Sequence, residues 1–346
     1  MTADPPDSAA REGADGRAPA AGVRAATGGP ADAYAAEAAI GHAGTGGHAD
    51  APGFDRRAVA RAFSRAAARY DAVASLQAGI RAELLERLQF FQLEPRVVLD
   101  LGAGTAQASL ELRRRYRAAC VLAADFAPGM LAAAPRPWQP WRRFERVVAD
   151  AHRLPLGEHS VDLVFSNLML QWCDPVAVFG EVRRVLRPGG LLVFSTFGPQ
   201  TLWELRAAWM QADTLEHVSP FADMPGLGDA MMHAGLTEPV MDVESHVLHY
   251  TDPLALMREL RGIGAVHAGR DRRRALTGRT RFAAMTSAYE SQRTAQGLPA
   301  TYEILFGVAF GGEARSHAAS QAVPGEYAVP LSALGRSRRD RGGSAS

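Results

Sequence analysis

The sequence predicts a doubly wound α/β fold, in which helices cover both faces of a largely parallel β-sheet. Short apolar runs alternate with amphipathic stretches of helical periodicity along the middle of the chain. The runs are continuously apolar rather than alternating, which is typical of parallel strands buried on both faces. The five predicted strands are Val97–Leu101, Val121–Asp125, Arg146–Asp150, Val161–Ser166 and Leu191–Thr196.

Beyond a predicted core over residues 90–200, the chain continues into a predicted helical insert over about 201–296. Two further strands are predicted at Glu244–Tyr250 and Glu303–Ala309, and the stretch Pro253–Gln296 between them has helical periodicity.

The predicted folded domain spans residues 51–312. Residues 1–50 are rich in Ala, Gly and Pro and have few large apolar side chains, so they cannot bury enough surface to offset the entropy of ordering. They are predicted to form a disordered leader. Residues 313–346 are polar and rich in arginine, and they are predicted to form a disordered tail.

The composition argues against several classes of protein. All 38 basic side chains are arginine and the net charge is only +1, so no global positive field favours nucleic acid. The apolar runs end well before the ~20 residues of a membrane span, and the N-terminus has no apolar signal region. Cys120 and Cys173 lie far apart without metal-ligand spacing. We expect a cytoplasmic protein with no metal, no nucleic-acid partner and no membrane partner.

The strongest motif is the apolar strand that ends at Asp100 and runs into Gly102-Ala-Gly104. Glycine allows a sharp turn and a close approach of the backbone to a ligand. The dinucleotide fingerprint Gly-x-Gly-x-x-Gly would have a third glycine, which is missing here. Taken alone, this motif fits a structural strand–helix turn as well as it fits a nucleotide site.

Polar side chains at the ends of the next strands favour the nucleotide site. Asp125 and Phe126 follow the second strand, where a carboxylate can accept hydrogen bonds from both ribose hydroxyls. At Asp150-Ala151, after the third strand, a carboxylate and a backbone amide could bind an adenine edge. Asn167 follows the fourth strand. One such acid is usually a solvated strand-end cap, but a series at successive strand ends indicates a cofactor site.

Together with the turn ArgValLeuArgProGlyGly at 184–190, these motifs resemble the class I S-adenosylmethionine-dependent methyltransferases over about residues 90–200. The resemblance implies a Rossmann-like, seven-stranded sheet with one antiparallel edge strand, and S-adenosylmethionine as co-substrate. Many members carry glycine where this chain has Ala106, and we expect alanine to cost little at a helix start. The residues implied in cofactor binding are Gln77, Asp100, Gly102, Gly104, Asp125, Phe126, Asp150, Ala151 and Asn167.

The segments around the core narrow the resemblance. Taken together, they are similar to the malonyl-acyl-carrier-protein O-methyltransferases of biotin synthesis over about residues 54–311. The resemblance implies methylation of the free carboxylate of a malonyl thioester on acyl carrier protein, which gives a methyl ester that can be extended toward pimeloyl. The segments that carry it are 61–77, 167–175, 197–206, 226–231, 260–265 and 301–307.

Two aromatic residues are predicted to be catalytic. A malonyl carboxylate is ionised at pH 7 and needs no general base, whereas a sulfonium cation favours aromatic faces. Tyr70 lies on an N-terminal helix that could cover the cofactor, and Trp172 follows the fourth strand, where substrate enters in this fold. Helix packing and core anchoring are their alternative roles. Gln77, seven residues after Tyr70, is predicted to share its helical face and to bind the amino-acid end of the cofactor.

The carrier protein is acidic by family expectation, so a basic surface should receive it. The densest basic stretch is Arg258–Arg281. A solvated helix face is the alternative interpretation, because every basic residue of the chain is arginine. The residues predicted to contact the carrier are Arg270, Arg272, Arg273 and Arg274.

Two other functions stay open at the level of sequence. A methyltransferase of a small molecule, such as a quinone precursor, would share residues 90–200 but should lack the segments 61–77 and 197–206. An assembly factor could keep the fold and the cofactor site without methylating anything.

Overall fold

The computed structural model describes residues 56–139, 143–215, 217–218, 220–265 and 278–312. The predicted leader and tail lie outside the described residues, and so do Arg270, Arg272, Arg273 and Arg274. No helix within the described ranges has both the length and the apolar character needed to cross a membrane.

Seven strands form one sheet. In chain order they are β1 (Val97–Leu101), β2 (Cys120–Asp125), β3 (Glu145–Val148), β4 (Val161–Asn167), β5 (Leu186–Phe197), β6 (Leu236–Tyr250) and β7 (Leu298–Gly311). Their order across the sheet is β3-β2-β1-β4-β5-β7-β6. The first five strands are parallel, and β7 runs antiparallel to its neighbours β5 and β6. The predicted seven-stranded, mostly parallel sheet is confirmed. The antiparallel strand β7 lies next to one edge of the sheet, between β5 and the edge strand β6.

Helices cover both faces of the sheet. They are α1 (Arg56–Val73), α2 (Ser75–Arg87), α3 (Gln107–Arg115), α4 (Pro128–Ala133), α5 (Pro175–Val185), α6 (Trp203–Ala212), α7 (Met224–His233), α8 (Pro253–Gly262) and α9 (Arg279–Glu290). Successive residues of a strand point to opposite faces. Val98 accordingly enters the core formed with α2 and α3, whereas Leu99 enters the core formed with α5 and α7. Both faces of β1 are buried, which explains its unbroken apolar sequence.

The last three strands extend beyond their predicted bounds. β6 begins at Leu236 rather than Glu244, and β7 spans Leu298–Gly311 rather than Glu303–Ala309. Much of the early part of β6 is exposed, so its sequence lacks the apolar run that marks a buried strand. β6 also lies inside the stretch predicted as a helical insert, which therefore contributes an edge strand together with α6–α9.

The N-terminal helical segment is divided at Ala74. This residue has φ −86° and ψ 48°, outside the helical region, and it separates α1 from α2. Tyr70 therefore lies on α1 and Gln77 on α2. The prediction that they share one helical face is wrong, because a spacing of seven residues aligns side chains only within an uninterrupted helix.

Candidate active site

A pocket of about 710 Å³ opens where β1, β2 and β4 end, with α1 forming one wall. The carboxyl ends of the strands are where doubly wound sheets bind their ligands. Two predicted residues, Gln77 and Asp100, are not part of its wall. The other predicted cofactor and catalytic residues line it: Tyr70, Gly102, Gly104, Asp125, Phe126, Asp150, Ala151, Asn167 and Trp172.

The glycine turn after β1 is fixed by backbone geometry. Gly102 has φ +74°, and a Cβ added there would overlap the side chain of Met169, so only glycine fits. Ala106 also has a positive φ, +59°. The expectation that alanine costs little here is wrong, because a Cβ in the left-handed region costs roughly 1–2 kcal/mol. The Ala106 methyl group is fully buried in the core, which offsets part of that cost.

Asp125 forms the polar end of the pocket next to this turn. Its two carboxylate oxygens accept hydrogen bonds from the backbone N–H groups of Gly104 and Ala127, each at 2.8 Å. Burial raises the pKa of Asp125 to about 6, against the lowering effect of these two bonds. A carboxylate has about four acceptor positions, so roughly two stay available to a diol. Asp125 therefore suits a ribose.

Asp100 lies behind the pocket wall instead of in it. Its side chain is 2% exposed, and one carboxylate oxygen accepts a hydrogen bond from Ser109 Oγ on α3. Burial raises the pKa of Asp100 to about 7. This position fits a support for the turn between β1 and α3, and direct cofactor contact by Asp100 stays a prediction.

Asp150 belongs to a polar network at the pocket mouth that the sequence did not reveal. Its carboxylate pairs with Arg56 Nη1 at 2.7 Å and with His152 Nδ1 at 2.6 Å. The backbone N–H of Asp174 donates to His152 Nε2, so the proton of a neutral ring lies on Nδ1 and is donated to Asp150. Burial opposes ionisation of Asp150, but the hydrogen bonds from His152 hold its pKa below the usual value.

Asn167 connects the pocket to α2. Its amide nitrogen donates to the backbone carbonyl of Gln77, and its amide oxygen accepts from Ser195 Oγ. Gln77 thus meets the site through its main chain. Binding of the cofactor by the Gln77 side chain stays a prediction.

Aromatic rings of Phe63, Tyr70 and Trp172 form part of the pocket wall. Phe63 and Trp172 pack edge to face, with ring centroids 5.2 Å apart, and Tyr70 lies on the same helix face as Phe63. Burial, followed by the charges of Asp125 and Asp71, raises the pKa of Tyr70 well above its usual range, so the phenol stays protonated. The Tyr70 hydroxyl has no hydrogen-bond partner among the described residues. It is a free donor at the pocket wall.

Helix α1, hereafter the lid helix, is attached to the pocket at both ends. Near its N-terminal end, Arg56 pairs with Asp150. Near its C-terminal end, Asp71 accepts hydrogen bonds from Thr105 Oγ1 at 2.6 Å and from Gln107 Nε2 at 2.8 Å, which tie it to the glycine turn. In its middle it touches α4, where a Cβ added at Gly129 would lie 2.6 Å from Ser64 Cβ. Sequence reasoning missed Asp71, although it lies beside Tyr70 in the segment that carried the resemblance.

Sulfur atoms occupy the floor near Trp172. Cys173 Sγ lies 3.2 Å from Met169 Sδ, and both residues line the pocket. Burial raises the pKa of the Cys173 thiol to about 12, so it stays protonated at neutral pH. A protonated thiol is a poor nucleophile, and it does not compete for an electrophilic ligand.

One group of possible metal ligands lies outside the pocket. Atoms of Glu83, Glu244 and His246 are within 4.8 Å of one another. The Arg87 guanidinium forms ion pairs with both glutamates and thus already supplies positive charge to the group. The expected absence of a metal stays a prediction.

The sequence is similar to those of known methyltransferases. A methyltransferase domain family matches residues 99–194. The malonyl-[acyl-carrier protein] O-methyltransferase of Methylovorus sp. (strain MP688) is 47% identical over 274 residues, covering 77% of this chain and 93% of that protein. The protein of the same name from Xylella fastidiosa (strain M23) is 46% identical over 260 residues, covering 74% and 88%. The biotin biosynthesis bifunctional protein BioHC of Cellvibrio japonicus (strain Ueda107) is 40% identical over 253 residues, covering 73% and 49%.

The sheet topology, the glycine turn and the matching domain define a class I S-adenosylmethionine-dependent methyltransferase. The two malonyl-[acyl-carrier protein] O-methyltransferases narrow this class further, because they are 46–47% identical over about three quarters of the chain. The chain belongs to the malonyl-[acyl-carrier protein] O-methyltransferase family. The resemblance predicted from the segments around the core is thereby confirmed.

Proposed function

We propose that this enzyme methylates the free carboxylate of a malonyl thioester carried by acyl carrier protein and so supplies a methyl ester to biotin synthesis in the cytoplasm. The names and identities of its relatives support this substrate. The structural observation that carries the proposal is one pocket lined both by the buried carboxylate of Asp125 and by the Tyr70 phenol, whose hydroxyl has no hydrogen-bond partner among the described residues.

The pocket residues fit S-adenosylmethionine. Asp125 offers acceptors for the ribose hydroxyls, and the apolar side chains of Phe126, Met130 and Ala151 suit an adenine ring. The Asp150 carboxylate and the neighbouring backbone would bind the adenine edge, with His152 holding that carboxylate in place. We assign the cofactor contacts to these groups and to the glycine turn.

When bound, S-adenosylmethionine supplies an electrophilic methyl group, which is transferred to a carboxylate oxygen as the carbon–sulfur bond breaks and S-adenosylhomocysteine is left. The protein's task is to align the carboxylate, exclude water and tolerate the sulfonium charge. The faces of Trp172 and Phe63 suit a cation, which desolvated aromatic rings stabilise by about 2 kcal/mol. No proton has to be removed from the nucleophile, so we propose no general base and no metal.

Tyr70 is the residue we assign to the malonyl carboxylate. A bidentate arginine would hold the anion tightly but would stabilise the ground state more than the charge-neutralised transition state. A neutral phenol donates one hydrogen bond and leaves the other oxygen free to attack. The high pKa of Tyr70 keeps that donor in place.

The test is the release of S-adenosylhomocysteine by the purified enzyme from three acceptors: malonyl carrier protein, acetyl carrier protein and a quinone precursor. We expect turnover with the malonyl carrier alone, because acetyl lacks the free carboxylate. Turnover with the quinone precursor instead would contradict the proposal, and no turnover with any acceptor would favour a non-methylating assembly factor.

A further inference from the structure

The outer face of the lid helix carries a row of four arginines at intervals of four residues. All four side chains are exposed, and none forms an ion pair with another described residue. We define Arg57, Arg61, Arg65 and Arg69 as the arginine row. We propose that this row is the docking surface for an acidic carrier protein, an inference that rests on the proposed function.

The lid helix has two distinct faces. Phe63 and Tyr70 line the pocket and are seven residues apart, which places them on one side of the helix. At 100° per residue, the arginine row centres about 180° from Phe63, on the opposite side. A partner bound to the row is therefore separated from the pocket by about one helix diameter, roughly 10 Å. A substrate on a flexible arm can cover that distance.

The charge pattern is unfavourable for the helix itself. The lid helix contains five arginines and one aspartate. Arginines four residues apart repel one another, and the first turn, where the helix dipole favours acids, contains Arg56 and Arg57 and no acidic residue. Arg56 pairs with Asp150, but the row has no such compensation among the described residues.

The next helix, α2, compensates two of its arginines with ion pairs. Arg81 pairs with Glu111, and Arg87 pairs with Glu83 on its own helix. The lid helix thus carries four exposed arginines that form no ion pair among the described residues, in a chain whose net charge is only +1. A surface with clustered carboxylates would neutralise the row, and an acidic carrier provides one next to the pocket where its thioester must arrive.

The test reverses two charges in the middle of the row, in the double variant Arg61→Glu/Arg65→Glu. The matched control is Arg114→Glu/Arg117→Glu. Those two exposed arginines lie at the end of α3 and just beyond it, shortly before β2 begins, whereas the pocket lies where the strands end. Three quantities are measured: KM for malonyl carrier protein, kcat/KM for a small malonyl thioester, and the affinity for carrier protein without an acyl group by fluorescence anisotropy.

We expect the row variant to raise KM for the malonyl carrier and to weaken binding of the unloaded carrier at least tenfold, while kcat/KM for the small thioester stays within about twofold. Added salt should weaken carrier binding by the wild type more than by the variant, because screening acts on charge pairs. Unchanged carrier affinity or an equal loss with the control variant would overturn the proposal. So would a row that binds labelled duplex DNA, but not the carrier, in the same anisotropy assay.

The affinity for the unloaded carrier distinguishes failure of the docking surface from failure of the proposed function. If the wild type binds the unloaded carrier through the row but methylates neither thioester, the docking surface stands and the proposed function fails. If both thioesters are methylated and the row variant behaves like the wild type, the proposed function stands and the docking surface fails.

Discussion

Replacing Tyr70 with Phe tests how the carboxylate is held. The substitution keeps the ring that packs against the core and removes only the hydroxyl. That hydroxyl has no partner among the described residues, so its loss breaks no hydrogen bond of the fold. We therefore expect nearly unchanged thermal stability and S-adenosylmethionine affinity within about twofold of the wild type.

The expected kinetic effect follows from the hydrogen bond that is lost. The Tyr70 phenol stays protonated because burial and nearby carboxylates raise its pKa, and a hydrogen bond to a charged group contributes about 1.5–3 kcal/mol. Removing it should lower kcat/KM for the malonyl carrier roughly 10- to 150-fold.

The assay is steady-state methylation of the malonyl carrier, with S-adenosylmethionine affinity measured by calorimetry on the same samples. Tyr116→Phe, at the end of α3 and outside the pocket wall, is the matched control. A silent Tyr70→Phe variant, combined with a Tyr70→Ala variant that loses cofactor affinity and activity together, would refute the orienting role and leave only packing.

Four further predictions concern the buried carboxylates Asp125 and Asp100, the attachment of the lid helix through Asp71, and the leader. Asp125→Ala should weaken S-adenosylmethionine binding by about 1.5–3 kcal/mol in calorimetry, and wild-type binding should weaken as pH falls through about 6, where Asp125 takes up a proton; pH-independent binding would contradict the ribose contact. Because burial raises the folded-state pKa of Asp100 to about 7, its contribution to stability is present at low pH and is lost as pH rises through 7. Asp100→Asn should therefore reduce the decline in unfolding free energy between pH 5 and 8 by about 2–4 kcal/mol. The unfolding free energy is measured by denaturant titration at each pH, and the same decline in the variant as in the wild type would refute this. Asp71→Asn should speed cofactor dissociation in stopped-flow measurements about 3- to 10-fold by weakening the tie to Thr105, and an unchanged rate would show that the tie does not hold the lid. Deleting residues 1–50 should leave turnover within about twofold, and a large loss would assign the leader a role in the fold or the site.

The sequence was most informative where function depends on position along a strand. The positions of Asp125 and Asp150 in the pocket wall could be predicted because each follows a recognisable apolar run, and the ends of parallel strands meet on one side of the sheet. Asp100 has the same residue type within the same motif, but its side chain turns to Ser109 behind the wall. The direction of one side chain at a strand end depends on tertiary packing, which a local pattern does not encode.

The lid helix shows the limit of sequence periodicity more clearly. The break at Ala74 has no glycine or proline to mark it, so the shared face inferred for Tyr70 and Gln77 did not exist. The tie from Asp71 to Thr105 and the pairing of Arg56 with Asp150 join residues 34 and 94 positions apart. Such contacts become visible only when the helix is seen lying over the pocket.

Mass analysis of the acyl group after reaction tests most directly whether the enzyme methylates the free malonyl carboxylate. Malonyl carrier protein is incubated with the enzyme and methyl-labelled S-adenosylmethionine, and the acyl group is then released and fragmented. We expect one label, located as a methyl ester on the free carboxylate and removable by mild base, and no label when acetyl carrier replaces malonyl carrier. A label on the carbon chain or on the carrier protein itself, or an unlabelled malonyl group, would contradict it.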